Sequence, residues 1–292
     1  MVHLSDNMRG AGYMLAAMTA FTINDACMKA LSGEVPLFQA IFMRSMMVVL
    51  LLSVLAWHQG IFRISIPMSD RKLIALRSAV EVAAAYFFIS ALFNMPIANV
   101  TAILQALPLT VSLAAAVFLG EALGWRRLSA ILVGFIGVML IVRPGGEGFS
   151  IYSVYVLLAV GCVTVRDLAA RRMSPETPTL SVALLAAVSV LAMSGVGSIA
   201  ESWVWPSSRG TILLFTASLF VIGGYIFSVS AMRSGEIGFV TQFRYASLLV
   251  ALVLGLVFFS EFPDALTLVG SVIVVATGLF TLYRERKAQT PP

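Results

Sequence analysis

Eight ionisable side chains interrupt the long apolar stretches of this 292-residue sequence. They are Asp25, Lys29, Arg44, Arg77, Glu81, Arg166, Asp167 and Arg244. A charge at membrane depth costs about 2.5–3.5 kcal/mol on insertion scales, so each is a candidate functional residue. Five of them are cations and three are anions. Unless they serve only as structural ion pairs, this excess favours a hydrated cavity for a ligand that carries carboxylate, phosphate or polarised carbonyl oxygens.

Arg44 and Glu81 are the deepest of these charges, because each lies within about 3 Å of the centre of its apolar stretch. Arg77 and Glu81 are four residues apart, so they share one helical face and are predicted to pair. Arg44 would then provide the excess positive charge that meets a ligand.

Uncharged polar and aromatic side chains complete the predicted substrate site. Tyrosine rings could stack on a planar heterocycle, although most buried tyrosines serve packing. Pro108 lacks an N–H and is predicted to free a backbone carbonyl near the middle of its helix. The polar and aromatic candidates are Tyr86, Asn99, Gln105, Tyr225, Gln242 and Tyr245, with Arg244 as a second cation for binding an anion.

Two acid–base pairs have the same spacing and mark candidate gates. Asp25 precedes Lys29 by four residues, and Asp167 precedes Arg171 by four. This order suits the helix dipole. If the two halves of the chain are inverted, one pair lies near the outside and the other near the cytoplasm, where each could help to close a gate. Solvated helix-end ion pairs are the alternative, and Lys29 could instead extend its ammonium group to the membrane surface.

The composition requires membrane helices to position these side chains. Hydrophobic residues make up 60% of the chain and charged residues 11%, against about 45–50% and about 25% in soluble domains. One crossing takes about 20 apolar residues. Ten such stretches span approximately residues 10–31, 35–57, 71–94, 97–119, 125–143, 150–171, 178–200, 209–232, 237–259 and 264–283. We therefore predict an all-α membrane protein with ten transmembrane helices and no room for a folded extramembrane domain.

The loop cations indicate the orientation of the chain. Twelve Lys and Arg residues fall in alternate loops on one side, whereas Arg143 and Arg209 fall on the other. By the positive-inside rule, both termini are predicted to be cytoplasmic. Because the cations are scattered one or two per loop, no basic face for nucleic acid is expected.

An internal repeat divides the chain into residues 1–146 and 147–292, each with five of the predicted helices. At an offset of 142 the aligned residues are Asp25/Asp167, Lys29/Arg171 and Pro36/Pro178, and at an offset of 140 they are Ala91/Ala231, Val100/Val240, Thr101/Thr241, Leu109/Leu249, Phe118/Phe258 and Glu121/Glu261. Since an odd number of crossings separates equivalent helices, the halves are predicted to be inverted. Inverted repeats are typical of secondary transporters, whose substrate site lies near the membrane midplane.

Ten short helices, with an acidic residue closing the fourth and the ninth, resemble the EamA-type members of the drug/metabolite transporter superfamily. The closing segments are Leu119-Gly120-Glu121 and Phe259-Ser260-Glu261. Within the superfamily, Ile23-Asn24-Asp25, Phe243-Arg244-Tyr245 and Glu261-Phe262-Pro263-Asp264 resemble the bacterial branch that contains riboflavin and S-adenosylmethionine importers. The resemblance covers nearly the whole chain and implies a transporter. It leaves substrate and direction open, because the superfamily also includes exporters of amino acids and drugs.

The charges and the resemblance together predict a secondary transporter in the bacterial inner membrane, with riboflavin uptake as its leading function. S-adenosylmethionine import and amino-acid or metabolite export are the alternatives, and a non-transporting receptor is the competing class. An enzyme is not expected, because His3 and His58 lie outside the apolar stretches and HExxH and GxxxxGK[ST] are absent. We expect no cofactor, metal or catalytic residue. The expected partners are a small-molecule substrate, the lipid bilayer and, as one option, a second copy in a homodimer.

Overall fold

The computed structural model describes residues 4–60, 67–120, 124–146, 149–174, 176–234 and 237–289. These residues form helices, and no strand occurs among them. Helices are expected because backbone N–H and C=O groups in lipid must be satisfied within their own segment. The elements are α1 (Leu4–Ala30), α2 (Leu37–His58), α3 (Met68–Asn94), α4 (Ile97–Leu104), α5 (Leu107–Leu119), α6 (Trp125–Val142), α7 (Ile151–Arg171), α8 (Thr179–Ser198), α9 (Ser208–Arg233), α10 (Ile237–Val240), a 3₁₀ segment (Thr241–Tyr245), α11 (Ala246–Phe259) and α12 (Ala265–Gln289).

Eight of the described helical segments are long and apolar enough to cross a membrane. The predicted stretches outside this set correspond to α1, which carries charged residues in its first and last turns, and α12, whose apolar part is Ala265–Thr281. The protein is therefore a multi-pass membrane protein. The two-repeat arrangement and the side on which each terminus lies remain predictions, and Glu121 of the repeat lies outside the described residues.

Two of the predicted spans are interrupted near their centres. The span 97–119 breaks at Gln105, between α4 and α5, and the span 237–259 contains the 3₁₀ segment that ends at Tyr245. Pro108 lies in the first turn of α5, where its missing N–H leaves no helical hydrogen bond unmade. The freed carbonyl predicted near Pro108 stays a prediction.

The two interrupted spans share further features at one sequence offset. Gln105 and Tyr245, where the breaks fall, are 140 residues apart, which is the offset found in the sequence repeat. The left-handed residues that end α5 and α11, Gly120 (φ 70°) and Ser260 (φ 54°), are the same distance apart. The sequence correspondence therefore extends to local backbone geometry.

The chain forms two compact units, each of which draws on both sequence halves. The first unit comprises Met1–Ala26, Met95–Val154 and Leu219–Pro292. The second unit comprises Cys27–Asn94 and Tyr155–Ser218. The predicted division at residue 146 concerns a different property, the sequence repeat, and stays a prediction.

Close contact between α6 and α12 organises the first unit. A methyl group on Gly270 would lie 2.6 Å from the Gly137 carbonyl oxygen, and one on Gly137 would lie 2.9 Å from the Gly270 carbonyl oxygen. Gly134 faces Leu109 with no room for a methyl group. Small residues at such positions let helices approach closely. Open space surrounds Gly223 in α9.

In the second unit, α2 and α3 pack on α8. Aromatic rings of α2 lie against glycines of α8, with Phe38 over Gly197 and Phe42 over Gly195. A methyl group on Gly197 would lie 2.5 Å from the Phe38 ring. The absence of side chains at these glycines therefore sets how closely the rings approach the helix.

The connection between α8 and α9 is fastened to the start of α2. Glu201 accepts hydrogen bonds from the backbone N–H groups of Phe38 (3.0 Å) and Gln39 (2.9 Å). A carboxylate is favourable there, because the first N–H groups of a helix lack internal partners and carry partial positive charge. The buried Gln39 side chain also donates to the Val204 carbonyl (2.6 Å) and accepts from the Val204 N–H (3.1 Å).

Glu34, which lies between α1 and α2, fastens the same connection one residue before α9. Its carboxylate accepts hydrogen bonds from the Ser207 backbone N–H (2.8 Å) and hydroxyl group (2.6 Å). These hydrogen bonds, the hydroxyl first, hold the pKa of Glu34 below its ordinary value. The ionised carboxylate is therefore the form that the folded loop favours.

Candidate functional site

An ion-pair cluster in the second unit joins α3 to α7. Arg166 Nη1 lies 3.4 Å from Glu81 Oε1, and Arg166 Nε lies 3.0 Å from Asp167 Oδ1. One cation is thus shared by two carboxylates. Arg166 was predicted to lie at membrane depth but not to belong to the substrate site.

This cluster corrects two predicted pairings. Glu81 pairs with Arg166 rather than with Arg77, whose Nη1 donates instead to the Val182 carbonyl at 3.4 Å. Asp167 takes Arg166, its sequence neighbour, as its ion-pair partner rather than Arg171. The four-residue spacing allows a contact along one helix in both cases. Glu81 instead contacts a guanidinium from another helix, and Asp167 contacts that of its neighbour in the chain.

The side chains of the cluster are only partly covered by protein. The Arg166 and Glu81 side chains are 25% and 21% exposed, and that of Asp167 is 37% exposed. Glu81 lies at the midpoint of α3, about 20 Å along the helix axis from either end. Charges that face hydrocarbon are costly, so charged side chains in an apolar span are candidate functional residues. These three side chains are not fully enclosed by the protein.

Four aromatic rings in the same unit contact one another. Tyr86 stacks on Phe38 with ring centroids 5.6 Å apart, and lies 5.5 Å from Phe87. Tyr155 of α7 lies 6.2 Å from Tyr86 and 5.3 Å from Phe87. Tyr86 was predicted as a site residue and Tyr155 was not. Its sequence signal is spacing: it precedes Arg166 by three helical turns, which places both on one face of α7.

The other charged candidates lie near these helices. Arg44 is half-buried in α2, and Arg171 is exposed at the end of α7. Lys29, at the end of α1, is buried, so it packs within the protein and does not extend along the surface. In the first unit, the half-buried Asp25 accepts a hydrogen bond from Asn24 Nδ2 at 2.9 Å.

The remaining candidates cluster at the helix interruptions of the first unit. Gln105 Nε2 donates to Ser247 Oγ at 2.9 Å, which links the break in one span to the start of α11. The Tyr245 hydroxyl is buried against Gly278, and within the described part of the chain it has no hydrogen-bond partner. Asn99 Oδ1 is also buried and has no hydrogen-bond partner among the described residues. Unsatisfied buried polar atoms cost about 1–3 kcal/mol each, so both can gain from a ligand or water.

Three predicted residues of the first unit differ in exposure. Gln242 is half-buried and Arg244 is exposed in the 3₁₀ segment. Tyr225 is 44% exposed and packs edge-on against Phe21, with ring centroids 5.6 Å apart. The position of Tyr225 is thus set by an aromatic contact with α1.

Residues 8–143 match the EamA-like transporter family. Over this part of its length, the chain is similar to EamA-like transporters. An S-adenosylmethionine uptake transporter of Rickettsia conorii is 26% identical over 98% of this chain and 96% of its own. A pseudopaline exporter of Pseudomonas aeruginosa is 27% identical over 95% and 97%, respectively.

A riboflavin transporter of Rhizobium johnstonii is 23% identical over 70% of this chain and 68% of its own. A solved crystal structure with 19% identity aligns with 96% of this chain and 99% of its own, at a TM-score of 0.62. That likeness shows the shared fold alone. The resemblance to the branch of riboflavin and S-adenosylmethionine importers is confirmed.

Proposed function

We propose that this protein is a secondary transporter of a small charged metabolite across the bacterial inner membrane. The observation that carries the proposal is the Glu81–Arg166–Asp167 cluster, which is partly exposed although it lies within apolar spans. A receptor or scaffold gains nothing from charges that cost free energy at this depth, whereas a transporter uses them to contact its substrate.

S-adenosylmethionine is our first candidate substrate. The relatives named for its uptake align with nearly the whole chain, whereas the riboflavin transporter aligns with 70% of it. The cluster of two carboxylates and one guanidinium also suits a ligand with charged groups, and riboflavin has none near neutral pH. Riboflavin uptake, our leading expectation from the sequence, becomes the second candidate. Export is the alternative direction, in line with the pseudopaline exporter.

We infer further that the chain is an inverted repeat of residues 1–146 and 147–292. The paired interruptions at Gln105 and Tyr245 support this proposal, since broken helices at corresponding positions accompany binding sites in secondary transporters. A reporter fused after Lys287 should then be cytoplasmic, and one inserted at Gly146 should be external. Both reporters on one side would contradict the inversion.

We propose that the substrate-site residues predicted from the sequence contact the substrate. Arg44, Arg77 and Tyr86 belong to the second unit, and the polar residues at the helix interruptions, with Tyr225, belong to the first. The gating pairs proposed from the sequence are Asp25 with Lys29 and Asp167 with Arg171. Since Asp167 binds Arg166, we propose that closing the gate near Arg171 involves exchange of partners around Asp167.

Uptake of a labelled panel tests the function. Cells and inside-out vesicles that express the protein should be given S-adenosylmethionine, riboflavin and amino acids. We expect saturable S-adenosylmethionine uptake into cells. Accumulation only in inside-out vesicles would indicate export, and no transport of any compound by well-expressed protein would refute a transport function for this panel.

Arg44→Met should abolish uptake while the protein still inserts and purifies, if Arg44 meets the oxygen atoms of the substrate. The measurement compares uptake per amount of folded protein with that of the wild type. Loss of folded protein would instead indicate that Arg44 is a structural residue.

A further inference from the structure

The contacts between α3 and α7 point to a binding site of defined chemistry. Resting on the proposed transport function, we propose that this site binds a zwitterionic α-amino acid that carries a planar aromatic ring and one further positive charge. The α3–α7 site consists of Glu81, Tyr86, Phe87, Tyr155, Arg166 and Asp167.

The net charge of the cluster favours a positively charged substrate. Glu81 and Asp167 carry two negative charges against the single positive charge of Arg166, so the cluster has a net charge of −1. A substrate carboxylate can bind the Arg166 guanidinium, which binds carboxylates through two parallel hydrogen bonds. A substrate ammonium group can then take Glu81. Asp167 is left for a second cationic group, so a substrate with net charge +1 neutralises the site.

The geometry of the pair suits such an exchange. Arg166 Nη1 lies 3.4 Å and 3.5 Å from the two oxygens of Glu81, longer than the 2.7–2.9 Å of a strong charge-assisted hydrogen bond. Both side chains are partly exposed, so a ligand can reach them. A zwitterion inserted between them replaces one long ion pair with two, carboxylate to Arg166 and ammonium to Glu81. Each charged group then has a partner.

The aromatic rings supply the second part of the site. Tyr155 lies about 16 Å before Arg166 along α7, and Tyr86 lies about 8 Å beyond Glu81 along α3. The ring contacts and the ion pair therefore occur at two levels of the same pair of helices. An extended ligand can place its charged head group at Arg166 and its ring against the tyrosines, where aromatic stacking is favourable.

The backbone contacts of α3 and its side-chain contacts with α7 involve different neighbours. Its close backbone neighbours are α8 and α2, and the contacts to α7 given above come from long side chains. Side chains that span a gap can change rotamer at little cost, whereas packed helices resist displacement. A ligand can therefore enter between the facing side chains without separating α3 from α8.

The alternative is that Glu81 and Arg166 only hold the two helices together. A cycle of protein and ligand changes separates the two roles. The ligands are S-adenosylmethionine, which has every group that the site requires, and its decarboxylated form, which lacks the carboxylate. The protein variants are Arg166→Gln and, as a matched control, Arg143→Gln, which removes the cation of the Arg143–Asp264 ion pair outside the site.

We expect decarboxylation to weaken binding to the purified full-length wild type by about 10- to 100-fold, as for hydrogen bonds between charged groups. Arg166→Gln should weaken binding of S-adenosylmethionine by a similar factor. It should change binding of the decarboxylated compound by less than about threefold, since that ligand has no carboxylate to lose. Arg143→Gln should change neither.

If Arg166→Gln does not purify as folded protein, Arg166→Lys keeps the positive charge beside Glu81 and gives the same comparison with a smaller loss. Equal weakening of both ligands by the Arg166 variants would overturn the proposed site and leave the transport function standing. Failure of the wild type to transport S-adenosylmethionine, with uptake of riboflavin, would overturn the site and the substrate ranking together. No transport of either compound would refute the proposed function itself.

Discussion

Replacing Gly270 by alanine should destabilise the contact between α6 and α12. The added methyl group would lie 2.6 Å from the Gly137 carbonyl oxygen and 2.7 Å from Ile141 Cγ1, whereas ordinary contact begins at 3.4 Å. The contact is thus about 0.8 Å too short, and the obstructing oxygen belongs to the backbone of a packed helix. Relief requires the two helices to separate.

Overpacking of this kind costs about 1–3 kcal/mol. Alanine has a higher helix propensity than glycine by about 1 kcal/mol, which offsets part of that cost. The net loss should lower the melting temperature of the detergent-solubilised protein by several degrees, because 1 kcal/mol corresponds to about 2–4 °C in a chain of about 200 residues. The melting temperature is measured from the fraction of protein that stays monodisperse after heating.

Gly223→Ala is the matched control, because open space surrounds Gly223 in α9 and only the helix propensity changes. It should leave the melting temperature unchanged or raise it. If Gly270→Ala is as stable as the wild type, or if both variants lose equal stability, the close approach of α6 and α12 does not stabilise the protein as argued.

Two further predictions concern charged groups. Arg166→Met should lower thermal stability more than Arg77→Met, because it strands Glu81, and adding Glu81→Gln should recover part of the loss; equal losses from the two single variants would contradict the observed pairing. Because the folded pKa of Glu34 is depressed, its hydrogen bonds stabilise fully above its ordinary value of 4.5 and are lost as the pH falls through the folded value. The difference in melting temperature between wild type and Ser207→Ala should therefore shrink below that pH, and a difference independent of pH would argue against this role.

The sequence by itself determined the positions of the helices. Each predicted apolar stretch coincides with helical structure to within six residues at either end. The physical reason is the bilayer, which requires about 20 apolar residues per crossing and leaves the backbone no choice but internal hydrogen bonds. These requirements act along the chain and can be read without knowing which helices are neighbours.

The two helix interruptions differ in whether the local sequence signals them. The break at Gln105 is signalled locally by Pro108, which cannot donate a helical hydrogen bond. The 3₁₀ segment Thr241–Tyr245 contains neither proline nor glycine, so its sequence carries no comparable signal. Its correspondence with the first break is visible from the repeat offset, but its tighter winding appears only in the structure.

The partners of the charged side chains were decided by tertiary structure alone. Spacing along one helix predicted that Glu81 meets Arg77, yet its partner is Arg166, 85 residues away in the sequence. Likewise, Tyr155 contacts two aromatic rings of α3 from a separate helix. A four-residue spacing makes a contact available, but which cation a carboxylate binds depends on the distance between helices, which no local pattern encodes.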